Sequence, residues 1–241
     1  QNSKLKTHPY SLFPIPYSPF PMPLGKVVKS NSHCDYLVQV NDRFDVNDPP
    51  AANTYGFGSF VRLDSPEVGL KTLQPAAVGI VYNSQLINPQ FLNTGPRLSS
   101  DADPLFTPDL VEETRTLLSV VLIGELIPFG QDVPDLFSEG SNPAAYYGQQ
   151  GIPRAIVPIN AIVSLLRQPE IRQFHNDRSG QLQFRYHSLL LRYGGSFASH
   201  LTEQVLQELV DLQIFQNPAQ QRALTTLCRE MSWRNTLGTL K

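Results

Sequence analysis

The chain has few cysteines, little charge and no long apolar run, and each shortage removes a class of protein. Two cysteines in 241 residues, Cys34 and Cys228, cannot make the disulfide framework of a small secreted domain, so a reducing, cytoplasmic setting is the expectation. Charged residues make up 17% of the chain and the formal net charge is -2. Such a balance lacks the clustered Lys and Arg that general nucleic-acid or acidic-membrane binding requires. The longest apolar run, TLLSVVLIGELI from Thr116 to Ile127, falls well short of the roughly 20 residues of a membrane span and contains Glu125. It reads as a buried strand or short helix. The chain begins at Gln1 and shows no charged head followed by an apolar stretch, so no secretory leader is expected, and a processed or truncated end both stay open.

Motifs for chemistry are missing as well. No G-x-x-x-x-G-K-[ST] phosphate loop occurs, and YGFGSF lacks both the lysine and a following helix. No G-x-S-x-G nucleophile elbow occurs, and Ser196 in RYGGSFASH reads better as a helix start. The histidines at 8, 33, 175, 187 and 200 never stand three or four apart, the spacing that lets one helix turn share a metal. His33 and Cys34 are adjacent, but neighbours on a strand point to opposite faces. The acid pairs Asp101/Asp103 and Asp132/Asp135 lack the glycine and distal glutamate of a calcium loop. The expected assignment is no catalytic residue, no metal site and no cofactor.

What the chain does have in quantity is proline. HPYSLFPIPYSPFPMPLG places proline at 9, 14, 16, 19, 21 and 23, each fixing φ and deleting a donor, so neither a helix nor a central strand forms there. Residues 1–24 are expected to be an extended, polyproline-like arm. Tyr10, Phe13, Tyr17 and Phe20 punctuate it with aromatics that disordered linkers seldom carry. The arm therefore lies on some surface, either a partner or its own domain. Pro16 to Pro19 makes a bare PxxP without a close basic neighbour, a poor SH3-type ligand.

From Gly25 the texture becomes short strands and long polar turns. GKVVKS, then DYLVQV with Tyr36, Val38 and Val40 on one face, then SFVRLDS, then AAVGIVYNS are β-branched segments without helices between them. That arrangement predicts an all-β unit rather than βαβ winding. Thr107 and Pro108 predict a short helix, and SVVLIG a further core strand. An irregular stretch then separates this half from a helical one. INAIVSLLRQ reads as a short apolar helix, Gln168 and Pro169 open EIRQFH, and Leu201, Val205, Leu209 and Leu212 form one face of an amphipathic helix. Asn217 and Pro218 begin a last helix whose Leu224, Leu227, Cys228 and Met231 share a face, giving a helical hairpin. The expected fold class is α+β: an arm at 1–24, a small closed N-terminal β-barrel at 25–130, a linker at 131–153 and a mainly helical domain at 154–241.

The order of the early strands resembles the HAS-barrel, the six-stranded barrel at the N-termini of rotary ATP synthase alpha and beta subunits and of HerA-type hexameric translocases. Gly25 with Val27, Gly58 with Val61, and Val78 with Gly79 and Val81 stand where that family carries its glycines and valines. The resemblance covers about residues 24 to 127 and stops before the family's phosphate loop, which this chain lacks. It implies a role in assembly rather than catalysis, with barrels packed side by side. Val78, Ile80 and Tyr82 would then build a barrel wall and Asn83 to Asn88 its exposed rim. The functional expectation is a non-enzymatic scaffold or adaptor for a protein partner, such as a multisubunit complex or hexameric ATPase, with self-association compatible. The partner-binding candidates are Tyr10, Phe13, Tyr17, Phe20, Asn83 and Trp233. Two other classes are weighed against it: an enzyme with a site gathered from His175, Asp177, Arg185 and His187, and a nucleic-acid-binding barrel with aromatics and arginines on one face.

Overall fold

In the computed structural model of the protein, residues 23–65, 74–87, 115–129, 146–215 and 217–238 are described. The proline-rich arm, the helix expected at Thr107 and the loop acids Asp101, Asp103, Asp132 and Asp135 lie outside them.

Among the described residues seven strands form a single antiparallel sheet: β1 (Pro23–Ser30), β2 (Asp35–Val40), β3 (Phe60–Asp64), β4 (Ala76–Ile87), β5 (Arg115–Pro128), β6 (Tyr146–Gln150) and β7 (Ile162–Leu165). Their order is β2-β1-β7-β3-β4-β5-β6, and a further pairing of β2 with β5 closes the first six into a barrel. The long strand β5 makes both closure and extension possible. Leu117 to Val121 pair with β2, and farther along Gly124 to Pro128 pair with β6. One strand thus serves the barrel with its first half and carries an outlying strand with its second.

The barrel expected from the sequence is present, with one correction to its placement. Its sixth strand, β7, comes from INAIVSLLRQ, where a short helix was expected, and it lies beyond residue 130 in the region expected to be helical. Ile162–Leu165 inserts between β1 and β3, pairing Val163 with Gly25 and Leu63. A four-residue β-branched and apolar run has no periodicity that separates strand from helix. Two waiting strand edges decide it, because each would otherwise leave backbone groups unpaired.

Two cores follow from the alternation of side chains. Val27, Tyr36, Val38, Val61, Val81, Leu118, Val120, Leu122 and Val163 fill the barrel. Phe60, Val78, Ile80, Val121, Ile123 and Leu126 point the other way and are covered by helices. The β3–β4–β5 wall is therefore buried on both faces, which is why TLLSVVLIGELI carries almost no polar positions. Gly25 stands where a Cβ would lie 2.0 Å from the Gln39 carbonyl oxygen, and Gly58 adopts φ +90.

Four helices follow: α1 (Gln168–Phe174), α2 (His187–Tyr193), α3 (Ala198–Asp211) after a 3-10 turn at Gly195–Phe197, and α4 (Pro218–Gly238). Leu201, Val205 and Leu209 of α3 are buried against the barrel wall, as their spacing predicts. The α4 start also matches its sequence signal, with Asn217 Oδ1 accepting the Ala219 N–H at 2.9 Å. Among the described side chains of α4, Leu224 and Cys228 are the buried ones, so it rests on α3 as an outer layer.

Candidate functional site

Among the described residues, no helix covers the barrel wall formed by β1, β7 and the segment leading into β7. Lys26 and Val28 project outward from β1, and Lys26 pairs with Ile162. The segment before β7 is pinned along β1 by Asn160 N–H to Val27 O at 2.8 Å and Val27 N–H to Ala161 O at 3.0 Å. Val157 N–H reaches into the barrel end to Tyr36 Oη at 3.3 Å. Between these anchors Ile156, Ile159 and Ile162 are 74%, 62% and 45% exposed, with Val28 beside them. The result is an aliphatic strip on a rigid wall. The sequence reading passed over it, although the three-residue spacing of Ile156, Ile159 and Ile162 in an otherwise irregular stretch was available as a signal.

The two predicted contact residues that are described are both exposed, one on β4 and the other on α4. Asn83 stands at a bulge in β4, where Val81 pairs with Val120 and Asn83 with Ser119. Beyond it β4 continues as a projecting strand through Ile87, with Leu86 82% exposed. The rim expected as a turn is thus strand up to residue 87. Trp233 lies nine residues from Leu224, half a turn of phase at 100° per residue, and so on the back of α4 opposite its buried stripe. Its ring is 68% exposed. Tyr10, Phe13, Tyr17 and Phe20 lie outside the described residues.

Of the polar residues of the enzyme alternative, Arg185 lies close enough to help lower the Asp177 carboxyl, but His175 is held apart in the core. His175 is fully enclosed: Nδ1 donates to Ile171 O at 2.7 Å, leaving Nε2 to accept from Tyr186 Oη at 2.8 Å. Burial pushes its pKa down to about 4. Its ring packs edge-on against Phe60 and Phe174, so it is a satisfied core histidine. Asp177 faces the other way and organises the turn, accepting Ser179 Oγ at 2.6 Å and Gln181 N–H at 2.8 Å, which hold its carboxyl below the usual range. Arg185 is exposed, and His187 stacks near Phe184. His33 and Cys34 lie in the bend between β1 and β2 rather than on a strand; His33 Nε2 hydrogen-bonds Pro153 O while Cys34 is buried in the barrel, so the two do not form a joint site. Among the described residues no group of three His, Cys, Asp or Glu side chains is placed to hold a metal ion.

The surface marks of a nucleic-acid interface are weak. The arginine that sits over a phenylalanine on the barrel, Arg43 over Phe44, lies beside Asp42, Asp45 and Asp48, and Arg115 is already paired with Asp42 and Asp45. Arg62 is held by Asp64 at 2.8 Å and by Glu170 at 3.4 Å, with its guanidinium over Tyr146.

One groove of about 720 Å3 opens between β6, α1 and the α3–α4 turn. Phe129 and Tyr147 form its aromatic side, with ring centroids 5.0 Å apart. Gln168, Arg172 and Gln173 line the other side from α1, and Asn217 and Gln220 close one end. Gln168 Nε2 and the Arg172 guanidinium both donate to Leu212 O, at 3.4 and 2.8 Å, fixing the turn over α1. The buried floor behind it is a carboxamide network. Gln150 donates to Phe174 O and Gln183 O and accepts the Arg185 N–H, while Gln183 donates to Gly148 O at 2.6 Å. These amides lock β6 to α1, giving the groove a rigid base.

Among the described residues no helix is long and apolar enough to cross a membrane. No curated protein matches the chain. A family model described as a domain of unknown function (DUF8166) matches residues 20–241, which takes in every strand and helix among the described residues, and the chain therefore belongs to that family.

Proposed function

We propose that this protein is a non-enzymatic scaffold or adaptor that docks on a protein partner through the barrel wall of β1 and β7 and the back of the helical hairpin. The single observation that carries the reading is the aliphatic strip of Val28, Ile156, Ile159 and Ile162. Isolated exposed apolar residues are ordinary, but several along one anchored segment mark an association surface. A closed barrel suits docking, because closure pairs the strand edges and leaves side chains to set specificity. Trp233 offers the large, half-rigid anchor that such interfaces favour.

The partner class this reading points to is a multisubunit assembly, including hexameric ATPases that carry HAS-type barrels. The resemblance in strand order supports that choice, and the interior positions of Val27, Val61 and Val81 are consistent with it. The reading includes a cytoplasmic location, with which two free, buried cysteines in different cores are compatible.

Size-exclusion chromatography with light scattering tests the proposal. The full chain, alone or mixed with a HAS-barrel ATPase, is expected to run as an assembly. The exposed pair Ile156→Asp and Ile159→Asp should weaken that association by about tenfold or more without changing the melting temperature. A strict monomer in every mixture overturns the reading.

A further inference from the structure

We infer that the outer face of α4 is the seat of an acidic α-helix of a partner protein, held by Arg222, Arg229 and Trp233. The inference rests on the docking role proposed above for the back of the helical hairpin and names what docks there.

Spacing makes this face a seam. Arg222, Thr226, Arg229 and Trp233 follow one another at intervals of four, three and four residues, and all four are exposed. At 100° per residue they fall within about 60° of arc and run about 16 Å along the helix. Leu224 and Cys228, the buried side chains, lie on the opposite side. Alternating steps of three and four are how one helix meets another along its length, because they keep each contact on the shared line. An extended peptide has no such repeat to match.

Charge decides which helix fits. Neither Arg222 nor Arg229 has an ion-pair partner among the described residues. The single carboxylate of α4, Glu230, lies off the seam and is taken by Arg234 at 2.5 Å. Glu203 and Asp211 of α3 sit on the Cys228 side, where Asn235 donates to the first and Gln207 to the second. Two unpaired guanidiniums seven residues apart call for two carboxylates at the same interval on the facing helix, each able to accept paired N–H bonds. Seven residues is also the repeat of such a helix pair, so both bonds form in one register. Trp233, 68% exposed, stands one turn beyond Arg229 and supplies the aromatic anchor, and Trp and Arg are the residues that most often dominate interface energy. A second copy of this chain fits poorly, since two such faces would gather four arginines along one seam with no acid between them. A nucleic-acid strand would call for a denser cluster of cations than these two.

Trp233 is the sole tryptophan of the chain, so its emission reports on this face directly. The full chain is titrated with a designed helix of about three heptads carrying Leu and Glu along its seam, with the same helix bearing Lys in place of each Glu, and with oligothymidylate. The Glu helix should shift the emission to the blue and saturate, with an affinity that falls as salt rises. The Lys helix and oligothymidylate should leave the emission unchanged. Arg222→Glu combined with Arg229→Glu should weaken the Glu helix by about tenfold or more and admit the Lys helix instead, with an unchanged melting temperature because both side chains are exposed. Ile156→Asp with Ile159→Asp should bind the Glu helix as the parent does. No response to the Glu helix, a response that survives the arginine reversal, or an equal response to the Lys helix or to oligothymidylate overturns the inference. So does a blue shift of the chain alone that grows with its concentration, the mark of self-association through this face. Light scattering keeps the two proposals apart: an assembly that persists while Trp233 stays silent sinks this inference alone, whereas a monomer in every mixture with an intact titration sinks the assembly reading and leaves this face standing.

Discussion

At the scale of single residues, close approach and burial determine what is replaceable. Gly148 in β6 passes so near α1 that an added Cβ would sit 1.8 Å from the Phe174 carbonyl oxygen. The same residue donates to Asn176 O and accepts from Gln183. Gly148→Ala must therefore push β6 off the helix, and a loss of about 3 kcal/mol or more is expected by urea denaturation. His175 and Glu208 bear on pH. His175 is held near pKa 4 in the folded state against an ordinary value of 6.5. Below 6.5 the unfolded chain takes up a proton that the native core refuses, so this group's contribution is intact above 6.5 and is lost as pH falls toward 4, on the order of 3 kcal/mol in all. Glu208 of α3 is pushed up to about 7 by desolvation from 4.5. Its sign is opposite: the unfolded chain ionises first, so stability is lost as pH rises from 4.5 to 7. The two slopes offset each other between pH 4.5 and 6.5. Denaturation midpoints of Glu208→Gln across that window should climb with pH more steeply than those of the parent, and parallel curves would refute the assignment.

At the scale of elements, the short helix α1 depends on one carboxylate. Glu170, at the third helical position, accepts the Arg167 N–H at 2.9 Å and so caps the helix start behind Pro169. The same carboxylate, buried at 5% exposure, balances Arg62 from the barrel wall. Glu170→Ala removes a cap and leaves Arg62 with Asp64 as its remaining ion pair, so a cost of about 2 kcal/mol is expected. Glu170→Gln should recover part of it, because an amide oxygen still caps; calorimetry on the two variants separates the cap from the charge. This capping was half legible, since Gln168 and Pro169 announced a helix start. The ion pair was not, because Arg62 lies more than a hundred residues away and no local pattern links the two.

At the scale of the whole molecule, barrel and helices form one packed body rather than two independent halves. The last barrel strand is β7, and the outer faces of β3, β4 and β5 are covered by α1, α2 and α3. A chain ending at residue 153 would leave the β1 and β3 edges open and expose Val78, Ile80, Val121 and Ile123 to water. Such a fragment is expected to be aggregated or to lack dispersed amide resonances in NMR, whereas the full chain should unfold in a single transition. A soluble, well-dispersed fragment would show that the barrel closes without β7.

The sequence by itself determined which segments are apolar and with what period. From Tyr36, Val38 and Val40 the inward face of β2 was readable, from Leu201, Val205 and Leu209 the seat of α3, and from Asn217 the start of α4. The glycines of YGFGSF marked a strand entry that needs glycine's backbone angles, and Gly58 has φ +90 there. Local pattern reaches this far because side-chain direction repeats every 2 or 3.6 residues. Tertiary structure alone decided that Ile162–Leu165 is a strand and that His175 is sealed in a core while Asp177 turns outward. Those outcomes depend on which edge or surface lies opposite in space, and long-range pairing leaves no trace in the residues of either partner alone.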